Sequence, residues 1–139
     1  MRAVILGCGR VGSTLALKLE AEGHEANIID KDPAAFLRLG EHFKGRTIAG
    51  IGISADVLRQ AGIEGADAFL AVTNGDNSNI MASQIAKIRF HTPRVLARIY
   101  DPLRAEAYRE MGIETLCITT LSAGILYNRI IDGTSAGLE

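Results

Sequence analysis

Residues 5–13 read Ile-Leu-Gly-Cys-Gly-Arg-Val-Gly-Ser and set Gly7, Gly9 and Gly12 in a G-x-G-x-x-G spacing. Where such a loop joins a strand to a helix, the first-turn N–H groups have no partner inside the helix and the dipole end is positive. The chemistry on offer is anion binding, above all of phosphate. The bare pattern is weak in a chain with 15 Gly among 139 residues, so its surroundings must decide. They agree with it: the apolar run Ala3–Leu6 precedes the loop, an amphipathic segment opens at Val11, and Asp30 closes the next apolar run 18 positions beyond Gly12. Gly7 is then expected at the tight turn, Gly9 where a diphosphate approaches the backbone, and Gly12 where helix and strand lie close. Asp30 is expected to accept hydrogen bonds from ribose hydroxyls and to repel a 2′-phosphate, which disfavours NADP. Its alternative role is to cap the turn Asp30-Lys31-Asp32-Pro33.

Further candidates lie at later strand ends, where ligands of such sheets bind. Thr73 and Asn74 follow a fourth apolar run, and Asn79 stands one turn into the next helix. Asn74-Gly75 is also ordinary turn chemistry and Asp76 an ordinary N-cap. Arg10 in the glycine loop and Arg98 at a fifth strand end can each hold phosphate oxygens in a fork, or can sit in surface ion pairs. Cys8 and Cys117 fit no disulfide or zinc pattern and read as small buried thiols, although a thiol beside a helix N-terminus, as at Cys8, is open to a lowered pKa. His24, His42 and His91 lie near helix ends, and no nucleophile–base or acid–base pair emerges. The sequence therefore describes a binding site and not an enzyme.

The elements that must position these residues alternate along the whole chain. Strands are expected at Ala3–Leu6, Ala26–Asp30, Arg46–Ala49, Ala68–Val72, Arg94–Arg98 and Glu114–Cys117, and helices at Val11–Glu22, Pro33–His42, Ala55–Ala61, Asn77–Phe90 and Pro102–Met111. Gly23, Gly62 and Gly112 stand after helices, and Pro33 and Pro102 at their first positions. The fold class that follows is α/β, a Rossmann-type doubly wound parallel six-stranded sheet of order 3-2-1-4-5-6. A last helix is expected over about Thr120–Ile131, and its apolar residues occupy more than the single stripe that one sheet would cover. It is either a partly exposed end or a seam against a second subunit. Residues 1–118 are thus read as a nucleotide-binding domain, 119–133 as this last helix, a crossover or dimerisation helix if the second role holds, and 134–139 as a tail, in part appended sequence.

A net charge of −1 with scattered basic residues lacks the footprint of a nucleic-acid binder. No apolar run approaches a membrane span and the first residues do not resemble a signal peptide, so a cytoplasmic protein without direct membrane insertion is expected.

Three phrases carry a resemblance: GCGRVGSTLALKLEAEGHEANIIDKDP, DVLRQAGIEGADAFLAVTNGDNSNIMASQIAK, and PRVLARIYDP followed by YREMGIETL. Together they resemble the KTN or RCK N-terminal domain, the TrkA-N-like regulatory module of bacterial potassium channels and transporters. The resemblance implies a non-enzymatic sensor of NAD(H) or ATP/ADP that forms homodimers, assembles into rings and gates a membrane partner at the inner face of the membrane. It assigns Gly7, Gly9, Arg10, Val11 and Gly12 to phosphates, with Cys8 inside the same loop. Asp30 falls at the ribose with Lys31 beside it, while Thr73, Asn74 and Arg98 match positions around the same crevice. The last helix corresponds to a crossover helix that packs on a neighbour. One departure stands out: after the third strand, near the adenine, the family usually carries Gly-Asp-Ala/Gly-Thr, and here Gly50 is followed by Ile51. Two other functions share parts of this pattern, the cofactor half of an NAD-dependent dehydrogenase and a degenerate Rossmann module that only mediates assembly.

Overall fold

The computed structural model describes residues 1–133; the tail expected over 134–139 lies outside the described residues. Six strands form one parallel sheet: β1 (Arg2–Leu6), β2 (Glu25–Asp30), β3 (Thr47–Ala49), β4 (Ala68–Ala71), β5 (Arg94–Ile99) and β6 (Glu114–Cys117), in the order β3-β2-β1-β4-β5-β6. This is the expected doubly wound arrangement, with each strand within a residue of its expected bounds. The central strands are buried on both faces, as a parallel sheet between two helical layers requires. Val4 and Leu6 face a core with Ile29, Leu58, Ile63 and Phe69, whereas Ile5 faces another with Ala16, Ile28 and Leu39. A third cluster around Ala97, Ile99, Ala105 and Ile113 closes the β5–β6 end.

Five α-helices connect or follow the strands: α1 (Arg10–Ala21), α2 (Ala55–Gln60), α3 (Asp76–Gln84), α4 (Pro102–Glu110) and α5 (Ile118–Asp132). Two expected helices differ in kind. The segment after β2 is a 3-10 run over Pro33–Leu39, opened by the Asp32 side chain on Ala34 N and closed at Gly40 with φ +78°. The long helix after β4 passes at Ile85 into a π turn that ends at Arg89. No helix of the described residues is long and apolar enough to cross a membrane.

Helix α5 has no buried residue. It leaves the sheet directly from β6, and Leu121, Leu126, Tyr127, Ile130 and Ile131 are all exposed along it.

Candidate functional site

The carboxyl ends of β1 to β5 share one rim, and at this rim a cleft of about 640 Å³ opens. That volume lies within the ordinary range of small-molecule sites. Of the residues expected there, Gly7, Cys8, Gly9, Arg10, Val11, Asp30, Lys31, Gly50, Ile51, Thr73, Asn74 and Arg98 line it. Gly12 and Asn79 do not.

The glycine loop is shaped by close approach. Gly7 turns at φ +109°, and a Cβ there would stand 3.0 Å from Thr73 N; a Cβ on Gly12 would stand 1.7 Å from Gly7 O, so α1 can settle onto β1 only with a hydrogen at this position. Gly9 differs: a Cβ there meets nothing within 4 Å, and its open side belongs to the cleft. Gly9 is also the N-cap of α1 and no side chain caps that helix. The positive end of α1 therefore faces the cleft with its amides uncapped by the protein's own side chains.

Across from the loop, Asp30 turns its carboxylate inward. Oδ2 accepts from Cys8 N at 2.8 Å and Oδ1 accepts from Asp32 N at 2.9 Å. The capping role considered for Asp30 is thus real, and it tethers the end of β2 to the glycine loop as well. Each carboxylate oxygen has a second lone-pair direction, so these bonds leave capacity for hydroxyl donors.

Cys8 is the small buried thiol expected, without the lowered pKa that its place beside a helix terminus left open. Its side chain is fully buried and its thiol lies 3.4 Å from Ala35 O. Burial first, and the Asp30 carboxylate second, push its pKa up, while Arg38 pulls the other way. Desolvation outweighs any help from the helix terminus, so Cys8 is an inert packing thiol.

Asn79 is fully buried, and its place one turn into α3 explains its role. Its Oδ1 accepts from Thr73 N at 3.0 Å and Thr73 Oγ1 at 2.6 Å; its Nδ2 donates to Thr73 O at 3.0 Å and Arg98 O at 2.7 Å. Asn79 positions Thr73 and Arg98 and does not itself face the cleft. Arg98 is held further by Nη2, which donates to Val72 O at 2.6 Å and Thr73 O at 3.0 Å, and its guanidinium lies 5.1 Å from the Tyr100 ring centroid. Among the described residues the ion pairs belong to Arg2, Arg59 and Arg109, so neither Arg10 nor Arg98 sits in one.

Sequence reasoning missed Asp32, Arg38, Ser78 and Tyr100, which also line the cleft. Tyr100 was within reach, because positions two apart near a strand end share a side and Arg98 was already a candidate. Arg38 was not: it arrives through the 3-10 turn, from which Nη1 donates to Cys8 O at 3.4 Å. Tyr100 also meets α5. Its carbonyl accepts from Thr119 Oγ1 at 2.9 Å, in the first turn of that helix.

The family model for the TrkA-N domain matches residues 3–119, covering the sheet and the whole cleft. The chain belongs to the TrkA-N domain family. A Trk system potassium uptake protein TrkA of Streptomyces coelicolor is 51% identical over 131 residues, which is 94% of this TrkA-N chain and 59% of that relative. The chain thus spans about three fifths of that relative's length. Among solved structures, the GsuK channel bound to NAD superposes with a TM-score of 0.79 at 24% identity, over 99% of this chain and 24% of that one. The Kef C-terminal domain of Shewanella denitrificans in its AMP-bound form gives 0.79 at 20% identity, over 97% and 84%. Both likenesses concern the TrkA-N fold.

Proposed function

We propose that this TrkA-N chain is a nucleotide-sensing regulatory domain of a potassium transport system, binding NAD(H) or ATP/ADP and gating a membrane partner without catalysing a reaction. One observation carries the reading: the uncapped N-terminus of α1, open at Gly9, faces the Asp30 carboxylate across an open cleft of nucleotide size. The amides of the loop take the phosphates and Asp30 takes the ribose, with NADP disfavoured by the charge at Asp30. Arg10, Lys31, Arg38 and Arg98 line the same cleft and add positive charge for a polyanion. The relatives support the transport role: the Streptomyces protein is a potassium uptake protein, and among the similar folds one is a channel bound to NAD and another is bound to ADP.

The domain works as a homodimer through α5, whose exposed apolar side chains need a cover, with rings as the larger assembly. It sits in the cytoplasm against the inner membrane face through its partner. Gating requires that the nucleotide prefer one dimer arrangement, since a ligand with equal affinity for two states shifts neither. Calorimetric titration with NADH, NAD, ATP, ADP and AMP tests the reading. Binding of at least one is expected, and silence from all five at millimolar concentration removes the sensor function.

A further inference from the structure

Asp76 reads in the sequence as an ordinary N-cap, and the structure gives it another task. Gly75 is the N-cap of α3 and Asp76 its first helical residue. The carboxylate reaches out of its own helix to the turn after β5: Oδ1 accepts from Tyr100 N at 2.9 Å and Oδ2 from Asp101 N at 3.2 Å. Such bonds are charge-assisted and stronger than those between neutral groups. The residues just before it, Thr73, Asn74 and Gly75, line the cleft, whereas Asp76 is half-buried and does not.

The peptide unit that joins Tyr100 to Asp101 also carries α5. Its N–H donates to Asp76, and its carbonyl accepts from Thr119 Oγ1 at 2.9 Å and from Cys117 Sγ, the N-cap of α5, at 3.6 Å. A peptide unit is a rigid plane, so its two ends turn together, and a shift at Asp76 rotates the carbonyl beneath α5. Little else fixes that helix. It buries no residue, and among the described residues no other side-chain hydrogen bond joins it to an element beyond β6.

We infer that Asp76 is a positioning residue that couples the cleft to α5: a ligand held against residues 73–75 fixes the start of α3, Asp76 fixes the Tyr100–Asp101 plane, and that plane sets the direction in which α5 leaves the sheet. This rests on the nucleotide-sensing reading and deepens it, by naming the contact through which two arrangements of α5 differ in their fit to ligand.

The test is amide hydrogen exchange of the full chain with and without ADP, at a concentration shown by calorimetry to saturate each variant. Residues 10–13 of α1 report the ligand and residues 122–126 of α5 report the coupling. In the unaltered chain ADP is expected to slow exchange at least about fivefold in both segments. Asp76→Ala is expected to keep the effect in α1 and to reduce it below about twofold in α5. Thr119→Val removes the donor to the Tyr100 carbonyl at an exposed position with a side chain of the same shape, and the same split is expected. A purely stabilising role for Asp76 would speed exchange in both states and leave the ADP ratio in α5 unchanged, which overturns the coupling through this carboxylate. An α5 response that survives in Thr119→Val overturns the route through Tyr100. An α5 segment indifferent to ADP in the unaltered chain, beside a protected α1, overturns the coupling and leaves nucleotide sensing intact. Failure of every nucleotide to bind removes the sensing function, and this inference with it.

Discussion

An added methyl at Gly12 would lie 1.7 Å from a backbone oxygen, whereas one at Gly9 would meet no protein atom. The two glycines therefore serve different constraints, and alanine separates them. Gly12→Ala is expected to lose about 1–3 kcal/mol or more in urea unfolding, because α1 must lift from β1. Gly9→Ala is expected to lose no more than about 1 kcal/mol, the usual difference at an N-cap, yet to weaken ADP binding at least tenfold in calorimetry. If Gly9→Ala bound ADP normally, the loop would not be a phosphate cradle. At this scale the sequence was legible wherever a residue type has few alternative uses: glycines at fixed offsets, an acid at a strand end. At Cys8 the buried thiol was legible too, whereas its contact with Ala35 was not, because that contact is tertiary.

Alternation of apolar residues and the positions of Gly and Pro located every strand and nearly every helix, since these signals arise within one element. The 3-10 run and the π turn escaped, because both are local adjustments to what lies beside them. Asn79 shows the same limit. Its position one turn into α3 was plain, but the sequence does not say that its amide faces β5 and the turn after β4 instead of the cleft. Four hydrogen bonds now depend on that amide. Asn79→Ala leaves Thr73 and Arg98 backbone groups without their partner, each at a cost of about 1–3 kcal/mol where no water replaces it. A lowered urea midpoint is expected, together with weaker nucleotide binding that persists at temperatures where the variant is fully folded. Unaltered binding would separate the Thr73 turn from the ligand.

For the whole molecule, the alternation of strands and helices, with the glycine loop after the first strand, made the doubly wound order legible in the sequence. The surroundings of α5 were not legible, because an over-apolar helix announces a missing neighbour without identifying it. Ile130 is 80% exposed, so a substitution there removes little packing among the described residues. Ile130→Asp is expected to convert the proposed homodimer to a monomer in light scattering with the melting of the sheet domain little changed. A persistent dimer would move the seam elsewhere.

The bond from Thr119 to the Tyr100 carbonyl has a mechanical corollary. Tyr100 stands on the cleft wall beside Arg98, so the fulcrum of α5 and one jaw of the cleft are the same residue. The 15-residue helix runs from that pivot to Asp132, an arm of about 20 Å. A few degrees of tilt at its root, too slight to disturb the sheet, sweep its tip through more than an ångström.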